Sequence, residues 1–163
     1  MYSWKAKMRE QQKIEIRKAR KEDFDEYLKL KREEKKDYSK IVCKKITYPK
    51  DKILKKEFND ALVFKKHLIL VVEEDKKLIG YLHGTYFSNP YSKGGYVEDI
   101  FVLKEFRKRG IAKNLINKFI KILKNKGYKK IQLSVNPKNI GAIKLYKNLG
   151  FEIFHFDLRK EWK

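Results

Sequence analysis

Polar and apolar positions change their period several times along this chain. Ile14-Glu15-Ile16-Arg17-Lys18-Ala19 alternates, which predicts a half-buried first strand after a polar, basic stretch over residues 1–13. Asp23 stands where a helix N-cap belongs, and Phe24, Tyr27 and Leu28 mark one face of a first helix. Its charged continuation, Lys31–Lys36, is expected as a solvent-exposed or frayed end. Pro49 opens a second helical region in which Ile53, Leu54, Phe58, Ala61 and Leu62 recur at helical spacing. Leu68–Glu73 reads as a buried strand, Asp75-Lys76-Lys77 as a turn, and Leu78–Phe87 as the partner strand of a hairpin. Asn89-Pro90 and Gly94-Gly95 punctuate a loop before a fourth strand, Tyr96–Leu103.

The next segment has the clearest pattern. Ile111, Ala112, Leu115, Ile116, Phe119, Ile120 and Leu123 form one apolar stripe. Lys113, Asn114, Asn117, Lys118, Lys121 and Lys124 form the opposite face, and Gly127 closes the helix as a C′ residue. Ile131–Val135 is expected as a strand, Asn139–Leu149 as a short helix, and Phe151–Leu158 as a final strand. Strands alternating with helices around a hairpin-rich first half predict an α/β (α+β mixed sheet) architecture.

At 163 residues the chain suits one domain, expected over 14–163, with residues 1–13 as a flexible basic N-terminal tail. The longest purely apolar run, Leu68–Val72, is far short of the roughly 20 residues of a membrane span, and no apolar signal segment follows the N-terminus. One cysteine and three histidines form no internal disulfide and no ligand spacing for a metal, so no metal is expected and a cytoplasmic protein is the simplest reading. Charge alters the picture: 42 Lys+Arg against 21 Asp+Glu give +21, spread along the whole chain. A solvated lysine-rich surface explains this, and so does attraction to a polyanion such as RNA, a ribosome or coenzyme A. No zinc-finger spacing, RNP-like strand or phosphate-binding GxxxxGK(S/T) is present.

Most of the chemistry lies between the fourth strand and the amphipathic helix, at Phe106-Arg107-Lys108-Arg109-Gly110-Ile111-Ala112. Amides at a helix start lack acceptors, and the helix dipole adds positive potential, which together suit a pyrophosphate. Gly110 permits close approach or positive φ, Ala112 leaves room, and Arg107, Lys108 and Arg109 add charge. An ordinary βα connection carrying basic residues fits the same letters.

Arg107–Ala112 resembles the acetyl-CoA signature Q/R-x-x-G-x-G/A of the GCN5-related N-acetyltransferase (GNAT) superfamily. Asn139-Ile140-Gly141-Ala142-Ile143-Lys144-Leu145-Tyr146-Lys147-Asn148-Leu149-Gly150-Phe151 resembles its N-x-x-A-x-x-L/F-Y-x-x-x-G-F segment, in the right order after a helix and a strand. The resemblance spans about Leu78 to Phe154 and implies a central mixed, mostly antiparallel sheet flanked by about four helices. It also implies acetyl-CoA as co-substrate and direct transfer of its acetyl group to a primary amine in a ternary complex. Amides of Arg107, Lys108, Arg109, Gly110, Ile111 and Ala112 would hold the pyrophosphate. Main-chain groups of Ile100, Phe101 and Val102 would pair with the pantetheine like an added strand. Asn139 would lie near that arm while also serving as an N-cap. Where the family often has glycine this chain has Ala112, whose amide still donates.

Tyr146 matches the family's general acid; the bare sequence reads equally as a core tyrosine, because Ala142, Tyr146 and Leu149 share a helix face. Glu98 and Asp99 are the base candidates. Adjacent strand residues face opposite ways, so barring a bulge only one meets the substrate. Tyr96–Val102 resembles the corresponding strand of diamine and polyamine acetyltransferases, where the first acid is the base, and this implies Glu98, acting directly or through a water. His83 reads as a hydrogen-bonded sheet residue rather than a catalyst.

A net +21 attracts coenzyme A and repels a polyamine at long range, which favours a protein N-terminus, a lysine on an acidic surface, or a small amine with its own carboxylate. The other reading is a basic RNA- or ribosome-associated module that keeps the scaffold. Monomer and homodimer are equally compatible with the sequence.

Overall fold

Strand alternation divides the apolar residues between two faces of one sheet. The computed structural model describes residues 14–160 and residue 162, so the stretch 1–13 lies outside the described residues. β1 (Glu15–Lys18), β2 (His67–Glu74), β3 (Lys77–Asn89) and β4 (Ser92–Val102) pair antiparallel in chain order. β5 (Ile131–Leu133) joins β4 in parallel, giving the order β1-β2-β3-β4-β5. α1 (Phe24–Val42) and α2 (Asp51–Val63) precede the β2–β3 hairpin, while α3 (Ile111–Asn125) and α4 (Ile140–Asn148) flank β5 in sequence. The expected mixed, mostly antiparallel sheet with four α-helices is therefore what forms.

Leu68, Leu70 and Val72 of β2 enter one buried cluster with Ile111, Leu115, Ile116, Phe119 and Leu123 of α3 and Tyr146 of α4. Ile69 and Val71 enter the other, with Phe24, Tyr27 and Leu28 of α1 and Leu54, Phe58 and Ala61 of α2. The helices thus bury the stripes that their 3.6-residue period lines up, except that Ile53 of α2 stays exposed.

Four local expectations change. Gly94-Gly95 is strand rather than loop, and both glycines are closely approached: a Cβ on Gly95 would lie 2.6 Å from Leu123 Cδ1 of α3, and one on Gly94 2.7 Å from Lys130 O. Lys31 is buried, not solvated, since it follows Tyr27 by one helical turn and faces the sheet. β5 stops at Leu133. Phe151–Leu158 forms no strand: Ile153, Phe154, Phe156 and Leu158 are exposed, because alternation without a ladder partner cannot hold extended chain in a sheet.

Gly84 gives a direct check of this packing. A Cβ there would meet Phe119 Cζ at 2.5 Å, and Phe119 is fully buried. Gly84→Ala is expected to cost about 1–3 kcal/mol, seen as a lower urea midpoint at unchanged m.

Candidate active site

The turn into α3 is built by two residues in the left-handed region, Lys108 at φ 62° and Gly110 at φ 76°. Gly110 is the N-cap of α3 and supplies no side-chain acceptor, and the first helical bond is Asn114 N–H to Gly110 O at 3.0 Å. Among the described residues, the amides from Lys108 to Lys113 therefore have no backbone acceptor, whereas the Arg107 amide donates to Lys104 O at 3.3 Å. The expected ring of positive charge is thinner than the sequence suggests. Arg107 Nε donates to Val102 O at 2.8 Å, and its Nη2 pairs with Asp37 at 2.6 Å. Arg109 Nη2 pairs with the buried Glu74 at 2.6 Å. Lys108 keeps its charge at the turn, and the bare amides remain.

β4 runs past its partner. Pairing with β5 covers Gly95–Val97, and Ile100, Phe101 and Val102 continue with no strand on that side among the described residues. Val102 and Ile111 share the α3-side cluster with Tyr146, and Ile100 and Ala112 pack against it. The end of β4, the start of α3 and the α4 tyrosine are thereby brought to one side of the molecule. Asn139 caps α4, its Oδ1 accepting from Ala142 N–H at 3.2 Å. Tyr146 is buried, its ring 5.7 Å from that of Phe151, and its hydroxyl has no hydrogen-bond partner among the described residues. Burial pushes its phenol up to about 12.

The two acids of β4 do not alternate. His83 faces Asp99 and Gly84 faces Val97 across the β3–β4 ladder, so Glu98 is the extra residue of a bulge. Glu98 accepts from Thr85 Oγ1 at 2.7 Å, and Asp99 lines a cavity with His83. Thr85 and His83 are two apart on β3, so both acids lie on the α1/α2 face. Strict alternation would have put only one acid there; the bulge is the exception that brings both.

That face holds residues the sequence reading missed. Lys31 Nζ bonds Asp99 at 2.8 Å and Glu34 at 3.1 Å. Glu34 also accepts from the Tyr81 hydroxyl at 2.6 Å and the Tyr48 hydroxyl at 3.2 Å. Burial opposes the Lys31 ammonium, but Glu34 and Asp99 outweigh it and hold the group above the ordinary lysine range. Burial raises the Glu34 carboxyl against the pull of Lys31. The spacing of Tyr27, Lys31 and Glu34 on one helix face was the available signal. A cavity of about 280 Å³ lies above this network, lined in part by Tyr27, Tyr48, Phe58 and Ile69. His83 in its wall bonds His67, Nε2 to Nδ1, at 3.2 Å, and burial lowers it to about 4, so it is neutral at pH 7. No group of His, Cys, Asp and Glu suited to a metal occurs among the described residues, and none of their helices is long and apolar enough to cross a membrane.

The geometry can be set beside known proteins. The profile of the acetyltransferase (GNAT) family matches residues 16–151. The uncharacterized N-acetyltransferase MJ1207 of Methanocaldococcus jannaschii is 33% identical over 142 residues, covering 84% of this chain and 60% of that protein. The thialysine Nε-acetyltransferase of Mus musculus is 35% identical over 74 residues, 45% of this chain and 44% of that protein. The chain thus spans less than two thirds of these curated relatives. The structure of aminoglycoside N-acetyltransferase AAC(6')-Iy in complex with CoA superposes with TM-score 0.75 at 22% identity, covering 93% of this chain and 95% of that one. The family match spans both clusters, the turn into α3 and the α4 tyrosine, and the chain belongs to the acetyltransferase (GNAT) family.

Proposed function

We propose that this chain is an acyl-CoA-dependent N-acetyltransferase, a single domain over residues 14–163 that moves an acetyl group from acetyl-CoA to a primary amine. One observation carries the reading: acceptor-less amides run from Lys108 to Lys113 at the start of a 15-residue helix, beside a β4 end with an open edge. Donors and dipole suit a pyrophosphate, and the strand-free edge at Ile100, Phe101 and Val102, where the Val102 carbonyl already accepts from Arg107 Nε, suits the amides of a pantetheine arm. A complex with CoA is known for a protein of this fold. The basic-module alternative draws on net charge alone, and Arg107 and Arg109 spend theirs on Asp37 and Glu74.

The residues divide the work by sheet face. Glu98, pushed toward the α1/α2 face by its bulge, takes the amine's proton directly or through a water. A free alkylamine has pKa about 10.4, so attack needs that removal. The amine nitrogen bonds to the carbonyl carbon, the carbon–sulfur bond breaks, and Tyr146 on the other face offers its O–H to the departing sulfur. Asn139 sets the start of α4 and so the position of Tyr146. The acceptor is a protein N-terminus, a lysine or a small-molecule amine.

Calorimetry with acetyl-CoA at low salt tests the reading. Wild type is expected to bind. Gly110→Val is expected to bind about tenfold more weakly, because φ 76° strains a β-branched residue although open space surrounds its Cβ. No uptake by wild type overturns the proposal.

A further inference from the structure

We infer that the acceptor is a small alkylamine carrying a second positive charge, held in the cavity between α1, α2 and the β4 bulge. This rests on the transferase reading above and narrows its substrate.

Charge is the first ground. The chain has two basic residues for every acidic one, 42 against 21. The cavity lining reverses the ratio: Asp99 and Glu57 are acidic and Lys31 alone is basic. Lys31 is already held by Asp99 at 2.8 Å and by Glu34 at 3.1 Å, so two carboxylates share one ammonium, and Glu57 stands in the lining besides. Lys35 rests on the Tyr48 ring at 5.2 Å without lining the cavity; counted together with Glu34, which does not line it either, it leaves three acids to two bases. The local charge balance thus runs against that of the whole molecule, and it weighs against an acceptor with its own carboxylate.

The walls point the same way. Tyr27, Tyr48 and Phe58 line the cavity, and Lys31 already sits 5.7 Å from the Tyr48 centroid and 5.4 Å from that of Tyr81. These rings accept cations on their faces. Size sets the last limit. A cavity of about 280 Å³ suits a short alkyl chain. Asp99 in the wall is next to Glu98, so a tail in the cavity leaves the reacting nitrogen near the bulge.

The test uses three four-carbon amines that differ only at the far end: 1,4-diaminobutane, butylamine and 4-aminobutyrate. With acetyl-CoA, kcat/KM is expected to be at least about tenfold higher for 1,4-diaminobutane than for butylamine, and lowest for 4-aminobutyrate. Glu57→Gln, a change at an exposed position of α2, is expected to shrink the preference for 1,4-diaminobutane severalfold without affecting acetyl-CoA uptake. Asp99→Asn is the second variant, with its fold checked by circular dichroism because it releases Lys31. Uptake of acetyl-CoA with equal use of all three amines, with preference for 4-aminobutyrate, or with no turnover of any of them overturns this inference alone. Failure to take up acetyl-CoA overturns the transferase reading as well.

Discussion

Tyr146→Phe is expected to lower kcat about 100-fold or more while leaving the affinity for acetyl-CoA within about twofold. The expectation separates two uses of one side chain. The ring packs against Phe151 at 5.7 Å within the α3-side cluster, and phenylalanine keeps that packing. The hydroxyl has no partner among the described residues, so its removal breaks no internal hydrogen bond and Tm should stay within a degree or two. What disappears is a donor for the departing sulfur. Burial pushes the phenol up to about 12, so the proton stays on Tyr146 throughout the neutral range. Wild-type activity should therefore show no loss on the alkaline side from Tyr146 below about pH 10, and the variant's pH profile should keep its shape while dropping in height. A merely structural tyrosine would leave both Tm and kcat unchanged, because phenylalanine keeps its packing. Unchanged turnover removes Tyr146 from the acid role.

Features set by neighbours in sequence were legible before any coordinates. The apolar stripe of α3 needs only its own period. The Asn139 cap needs a residue three positions on, and the turn at Lys108–Gly110 needs the short basic run before a helix. Features set by distant partners were not. Lys31 looks like one more surface lysine until Asp99, 68 residues away, is placed against it. The Glu98 bulge is invisible to a period-2 pattern, because one extra residue in β4 exists only relative to β3. Gly95 shows the same limit: its role lies in the Leu123 side chain above it. Phe151–Leu158 fails in the opposite direction, as its alternation is plain and its ladder partner is missing among the described residues. The turn into α3 is local and was legible; the network of Lys31, Glu34 and Asp99 is assembled across the chain and was not.

Lys31→Met should be the most destabilising single change on the α1/α2 face. Methionine retains the stem's packing against the tyrosines and removes the one charge that two carboxylates share. Breaking a buried pair by deleting one partner typically costs about 3–5 kcal/mol, because the other charge stays behind unpaired. The Asp99 side chain is 36% exposed, so water relieves part of that penalty and the lower end, about 3 kcal/mol, applies. For a domain of this size that is a Tm fall of roughly 6–12 °C by calorimetry. Adding Asp99→Asn to Lys31→Met should return much of the loss, and a double-mutant cycle measures the coupling. A loss under about 1 kcal/mol for Lys31→Met would mean that the network is fully hydrated and does not tie α1 to β4. The same variant separates stability from selectivity. Removing Lys31 deletes the one positive charge among the described residues that line the cavity, so at 15 °C, where the variant is still folded, its preference for 1,4-diaminobutane over 4-aminobutyrate should rise even though the protein is weaker. Stability and preference that fell together would point to a collapsed cavity instead of an acidic one.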